Sequence, residues 1–297
     1  MKRLFTAELY RFTHNATFKI YCFLSSVFSV LFAYGIYRNA ELSEEWFLAQ
    51  SLLIAVLISL SVGDEMSKCV RKKVVAGYSK TKILLVELIV SNLIVITQYV
   101  ITLIICLIVN YRLLAHTPFY IVFISFVGFL SIMFSLTTVF ITISCLFSKK
   151  ALSAVVCLVF VFTLYVVSPI VTFSLEEPQY FETMEWNDEK NEMEQMQVEN
   201  EKYVAEPIRS ILLTFNKANP FSQRREYNSI INPYLYDDEA WENAKEEIQN
   251  TIGEERLSRE LTNSDKEYLN TAYLYLFVPT LLFAITGGVI YKRKEIK

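Results

Sequence analysis

Lys68, Arg71, Lys72, Lys73, Lys80 and Lys82 crowd into the stretch 63–87, GDEMSKCVRKKVVAGYSKTKILLVE, which lies between two apolar runs. Cations in that number hold a loop on the cytoplasmic side of a membrane, and they can pair with acidic groups on a partner. Met66, Val70, Val74, Val75 and Tyr78 recur among them at helical spacing. The stretch is therefore predicted to form a short amphipathic helix with a basic face, ending at or near Gly77. Such a helix lies on the bilayer or enters a groove on a cytosolic partner. The other candidates are polar side chains in apolar surroundings. Glu87 lies about one turn inside the next apolar run, where it snorkels, pairs with Lys80 or Lys82, or lines an inward-facing cavity for a cationic substrate. Asn92 and Gln98 follow in the same run, and Gln98 is placed either to bond a neighbouring helix or to line a pathway.

Several chemistries are absent. A phosphate-binding loop needs two glycines five apart followed by Lys and Ser or Thr. The glycines, at 35, 63, 77, 128, 253, 287 and 288, contain no such pair. The chain is therefore not expected to hydrolyse ATP by that mechanism. His14 and His116, the only histidines, fall on opposite sides of the membrane in the topology below, which argues against a histidine metal site or catalytic triad. Cys22, Cys69, Cys106, Cys145 and Cys157 lie in apolar runs or the basic loop without CxxC spacing, so they read as packing residues. No catalytic residue, bound metal or cofactor is assigned to this chain.

The elements that must position these residues are set by segregation of two residue classes. Of 297 residues, 53% are hydrophobic and 20% charged, and the apolar ones gather in runs of about twenty, long enough to cross a hydrocarbon core of about 30 Å. Their length and lack of alternation predict helices, so the chain is expected to be an all-α polytopic membrane protein with six spans. The spans run over about 20–37, 46–62, 83–110, 119–147, 151–173 and 271–291, with Pro169 kinking the fifth. Residues 2–14 put Leu4, Phe5, Leu9 and Phe12 on one side and Lys2, Arg3, Glu8 and Arg11 mostly on the other, as an interfacial helix does. No signal-peptide cleavage site follows the first span. The N-terminal segment, the second loop, the turn after the fourth span and the tail together carry sixteen Lys and Arg, against Arg38 and Arg112 in the two short loops opposite. That bias places both termini and the basic loop in the cytoplasm of a plasma membrane.

Between the fifth and sixth spans, residues 174–270 hold 23 Asp and Glu against 10 Lys and Arg. This acidic insertion is expected outside, as a small helical domain. Ile208, Ile211, Leu212 and Phe215 have helical spacing and Asn219-Pro220-Phe221 should stop that helix. Residues 238–252 read as a polar helix, and 185–201 as the part most apt to be mobile. Ser264 and Glu267 suggest a capping box, so the last helix should begin near Asp265, before its apolar run. Residues 271–297 form that last span and a basic tail.

The basic stretch resembles the cytoplasmic loop between the second and third spans of ABC-2-type transporter permeases of Gram-positive bacteria. That pattern runs roughly Gly-Thr-Ile-Arg-Asn-Lys, two apolar residues, a spacer, Gly-x-Ser-Arg and Ile. This chain has Lys68, Cys69, Val70, Arg71, Lys72, Lys73, Val74, Val75, Ala76, Gly77, Tyr78, Ser79, Lys80, Thr81, Lys82 and Ile83, departing at Lys68, Cys69 and Lys80. The resemblance covers most of the chain. It implies a permease that pairs with a second, identical or paralogous permease and with two cytosolic ATPase subunits, which carry the ATP and Mg²⁺. It implies further that Met66, Val70, Arg71, Lys72, Lys73, Val74, Gly77, Tyr78 and Ser79 form the ATPase-coupling element, with Val70 and Val74 buried and Arg71, Lys72 and Lys73 meeting acidic groups. Glu87, Asn92 and Gln98 would then border a substrate pathway. Export of an amphipathic or hydrophobic compound, such as an antimicrobial peptide or drug, is the expected function. The alternative is a membrane sensor or immunity protein whose external loop binds a ligand and whose basic loop signals to a partner that is no ATPase. Nothing in the sequence suggests nucleic-acid binding.

Overall fold

Asn15 divides the first two helices. In the computed structural model, which describes residues 2–39, 44–63, 69–111, 117–147, 149–187, 192–234 and 263–293, α1 (Lys2–His14) ends just before it and α2 (Ala16–Asn39) begins just after. The Asn15 Oδ1 accepts the Thr17 N–H at 3.0 Å, satisfying one of the free donors at the start of α2. Next come α3 (Glu44–Gly63) and the short α4 (Cys69–Val75). Two bonds terminate α4, from the Gly77 N–H to the Val74 carbonyl at 2.9 Å and from the Tyr78 N–H to the Lys73 carbonyl at 3.1 Å. Gly77 carries the positive φ of 88° that this ending requires. Ser79 then caps α5 (Lys80–Val109), accepting the Lys82 N–H.

α6 (Phe119–Leu146) and α7 (Lys150–Glu176) follow, then an antiparallel hairpin of β1 (Tyr180–Asn187) and β2 (Glu192–Glu199), in which Tyr180 faces Glu199 and Asn187 faces Glu192. α8 (Ile208–Ala218), α9 (Pro220–Ile231), a 3₁₀ turn (Asn232–Tyr234) and α10 (Asn263–Arg293) complete the described chain.

Among the described residues, α2, α3, α5, α6, α7 and α10 are long and apolar enough to cross a membrane. The expected class, a helical polytopic membrane protein with six spanning candidates, therefore stands. The ends of the helices differ from the expected spans by a few residues, chiefly because polar residues at their mouths are helical too: α7 runs on to Glu176 and α10 begins at Asn263. α3 packs against α2, α6 and α7, and α6 against α5 and α10. Phe47, Ile54, Leu57 and Ile58 of α3 meet Phe140 and Ile141 of α6 in the core. Phe23 and Leu31 of α2 and Val159 and Phe162 of α7 stay exposed, as side chains facing hydrocarbon do. Polar side chains join the helices where no water competes. Ser25 Oγ donates to Gln50 Oε1 at 2.9 Å, and the hydroxyls of Ser29 and Thr102 lie 2.7 Å apart.

The insertion after α7 departs from expectation twice. Its hairpin occupies 185–187 and 192–199 of the stretch expected to be mobile, so the fold is not purely α-helical. And its middle is no separate domain, because α8 runs back along α7. The Arg209 guanidinium donates to the Leu175 carbonyl at 2.8 Å, Thr172 Oγ1 to Asn216 Oδ1 at 3.3 Å and Asn219 Nδ2 to the Leu164 carbonyl at 3.0 Å. Leu164 lies twelve residues before the end of α7, or about 18 Å along its axis at 1.5 Å per residue. There Asn219 ends α8 and also starts α9, its Oδ1 accepting the Phe221 N–H at 3.0 Å with Pro220 in the first turn. α9 returns between α3, α6, α7 and α10, burying Phe221, Tyr227 and Ile231. The expected helix at 238–252 lies outside the described residues.

Candidate functional site

α1 delivers Glu8, Arg11 and Phe12 to the near end of α5. Leu4, Glu8 and Phe12 are spaced four apart and share a face; all are buried, with Phe12 fully enclosed. Glu8 thus lies on the apolar face of α1, not on the polar side the sequence suggested. Glu87, about two turns into α5, is 3% exposed. A buried carboxylate costs several kcal/mol unless it is paired and hydrogen-bonded, and two cations supply this.

Arg11 joins three elements. Its Nε donates to Glu8 Oε2 at 2.8 Å, its Nη2 reaches both Glu87 oxygens at 3.1 Å, and its Nη1 donates to the Ser61 carbonyl at 2.9 Å. Ser61 is in the last turn of α3, where carbonyls lack intrahelical donors and a cation is favoured. Lys73 comes from α4. Its Nζ sits 2.5 Å from Glu8 Oε1 and 3.4 Å from Glu87 Oε1. Two acids and two cations thus meet at the junction of α1, α3, α4 and α5. Burial pushes the Glu8 carboxyl up, but the Arg11 guanidinium and the Lys73 ammonium outweigh it and hold that group below its ordinary value.

The predicted coupling residues divide by where they face. Lys72, Val74, Val75, Gly77 and Ser79 are exposed, Val75 by 83%. Lys73 is turned inward, its side chain only 14% exposed, so it is not placed to meet a partner as Lys72 is. Val74, expected to be buried, is 37% exposed, because α4 is short and, of its described side chains, only Lys73 turns back toward the bundle. Met66 lies outside the described residues. Val70 and Arg71 belong to α4. Lys80 Nζ reaches the Lys292 carbonyl at 3.4 Å, so the far end of α10 meets the same end of the bundle.

The predicted pathway residues turn to different partners. Glu87 pairs with Arg11 and Lys73. Asn92 Nδ2 donates to the Leu88 carbonyl at 2.9 Å and lies 3.5 Å from Thr138 on α6. Gln98 turns to Ser26 of α2 at 3.5 Å. Glu8 and Arg11 escaped sequence reasoning. The signal was present in the four-residue spacing of Glu8 from both Leu4 and Phe12, which puts an acid on an apolar stripe. Among the described residues no cluster of His, Cys, Asp or Glu could hold a metal ion. The chain matches no protein-family model and no curated protein sequence.

Proposed function

We propose that this chain is the membrane-spanning subunit of an ABC exporter, in which α4 takes mechanical work from a separate cytosolic ATPase. One observation carries the proposal. The short basic helix outside the bundle is joined through Lys73 to two buried carboxylates, one on α1 and one inside α5. A loop that only oriented the protein would need its charges in water. Here one cation is withdrawn to tie α4 to a spanning helix, while Lys72, Val74 and Val75 are left outward.

A push on the outward face moves Lys73, and the linked charges carry the displacement to Glu87 and Arg11. α5, α1 and the end of α3 then shift together, because separating any member strands a buried charge. Transport follows from switching the spans between two packings. Two such subunits, identical or paralogous, with two ATPase subunits holding ATP and Mg²⁺, make the working assembly. The cargo is an amphipathic or hydrophobic compound.

The test is affinity purification of the tagged full-length chain from its native membrane. The proposal expects a cytosolic nucleotide-hydrolysing subunit at one copy per permease. A chain that consistently purifies with a histidine kinase, or with no hydrolase at all, would favour the sensor alternative.

A further inference from the structure

A hydroxyl inside a spanning helix commonly donates to the carbonyl one turn back. α6 does this at Ser131, Thr137 and Thr138, over 2.7–2.9 Å. Ser135 of the same helix does not. It is 3% exposed, and its Oγ has no hydrogen-bond partner among the described residues. Ser135 instead lines a cavity of about 190 Å³.

The walls of that cavity come from α6, α7, α8, the Asn219-Pro220 turn and α10, through side chains such as Leu136, Leu164, Phe215 and Leu276, and are almost wholly apolar. Asn219 has both amide atoms engaged, its Nδ2 with the Leu164 carbonyl and its Oδ1 with the Phe221 N–H. Among the described residues, the hydroxyls facing the cavity are those of Ser135 and of Thr280, which is 7% exposed on α10. A buried hydroxyl without a partner forfeits the worth of a hydrogen bond, which an oxygen on a ligand restores.

Depth, size and access define the rest of that ligand. Ser135 and Thr280 lie near the middle of their long helices, which is the centre of the bilayer, where an ion is costly. The ligand is therefore uncharged. An apolar cavity of about 150 Å³ takes up benzene, so this one holds a chain of several carbons. Phe215 and Phe283, both in the lining, are 38% and 41% exposed. At that depth they face hydrocarbon, so a membrane-dissolved compound reaches the cavity sideways.

We propose that this cavity binds an uncharged lipophile bearing one hydroxyl, a medium-chain alcohol by class, with its oxygen at Ser135 and its chain against Leu136, Leu164 and Leu276. The site stands apart from the charges around α4 and holds whether or not an ATPase docks there.

The probe is 3-azioctanol, a photoreactive alcohol, applied to the full-length protein in phosphatidylcholine vesicles at pH 8, with labelled peptides read by mass spectrometry. Label that excess 1-octanol suppresses should fall on the cavity wall, at Phe215, Leu276 or Phe283. At equal concentration in the bilayer, n-nonane, as long but without oxygen, should compete several-fold less well, and octanoate should not compete. Ser135→Ala with Thr280→Val, which removes both hydroxyls at nearly constant volume, should lose most of the suppressible label. Equal competition by nonane or octanoate, suppressible label only outside the cavity, or undiminished label in the double variant overturns the proposal. If the double variant does not fold, the competition in the wild type decides by itself.

Discussion

Glu87 is the residue on which most of the buried charge converges, because Arg11 and Lys73 both spend part of their charge on it. Replacing it with Gln removes one of the two carboxylates that Arg11 and Lys73 share. Removing one member of a buried charge set costs about 3–5 kcal/mol, so Glu87→Gln should lower the thermal midpoint far more than a surface substitution. Pairing it with Lys73→Met should recover part of that loss; additive losses would show that Lys73 and Glu87 do not interact. Glu8 makes the set sensitive to acid. Its folded-state pKa lies below the ordinary 4.5, so its contribution is fully present above that value and fades as pH falls through the lower one. Unfolding followed from pH 7 down to about 3 should show that loss in the wild type and a flatter curve in Glu8→Gln; parallel curves would deny Glu8 the role. Glu87 stood out in the sequence as an acid inside an apolar run, but its partners did not. Glu8 looked like one charge among several on a polar side, and only the packing of Phe12 into the bundle shows which side is which.

At the scale of elements, the spans and the end of α4 could be read from the sequence, while the folding of the insertion could not. Apolar runs of about twenty residues have few alternatives in a bilayer, and Gly77 marks a helix end because its backbone must turn left-handed there. The hairpin was missed because Tyr180-Phe181 and the mixed acidic residues after them lack the strict alternation of a half-buried strand. Asn219-Pro220 was read as a stop, and it is one, but the same two residues also start α9. That re-entry is open to test. Ser168 and Ser222 have hydroxyls 2.9 Å apart, so the pair Ser168→Cys and Ser222→Cys should form a disulfide under mild oxidation. Failure to cross-link would mean that α9 is not seated between α6 and α7. Gly128 offers a second check, since a Cβ there would come within 2.6 Å of the Tyr227 ring. Gly128→Ala should therefore cost about 1–3 kcal/mol, and Tyr227→Leu in the same chain should relieve it.

Across the whole molecule, the charged elements sort to two ends. Arg11, Lys73 and the junction of Lys80 with the end of α10 gather at one, and Glu44 with Arg225 and the hairpin after α7 belong to the other. The bias of sixteen cations to two predicts that the first end is cytoplasmic. An impermeant maleimide applied to intact cells should label Thr183→Cys in an otherwise cysteine-free chain and spare a chain keeping only Cys69. The central claim is that α4 faces two ways, with Lys72 toward an ATPase and Lys73 toward the bundle. Its most direct measurement is the ATPase recovered with the purified chain, and its hydrolysis rate, for three forms: wild type, Arg71→Glu with Lys72→Glu, and Lys73→Met. The account predicts that the double variant inserts in the membrane but loses the ATPase, whereas Lys73→Met keeps it and no longer supports the wild-type rate. An ATPase retained by the double variant, or lost as completely from a folded Lys73→Met, would contradict it.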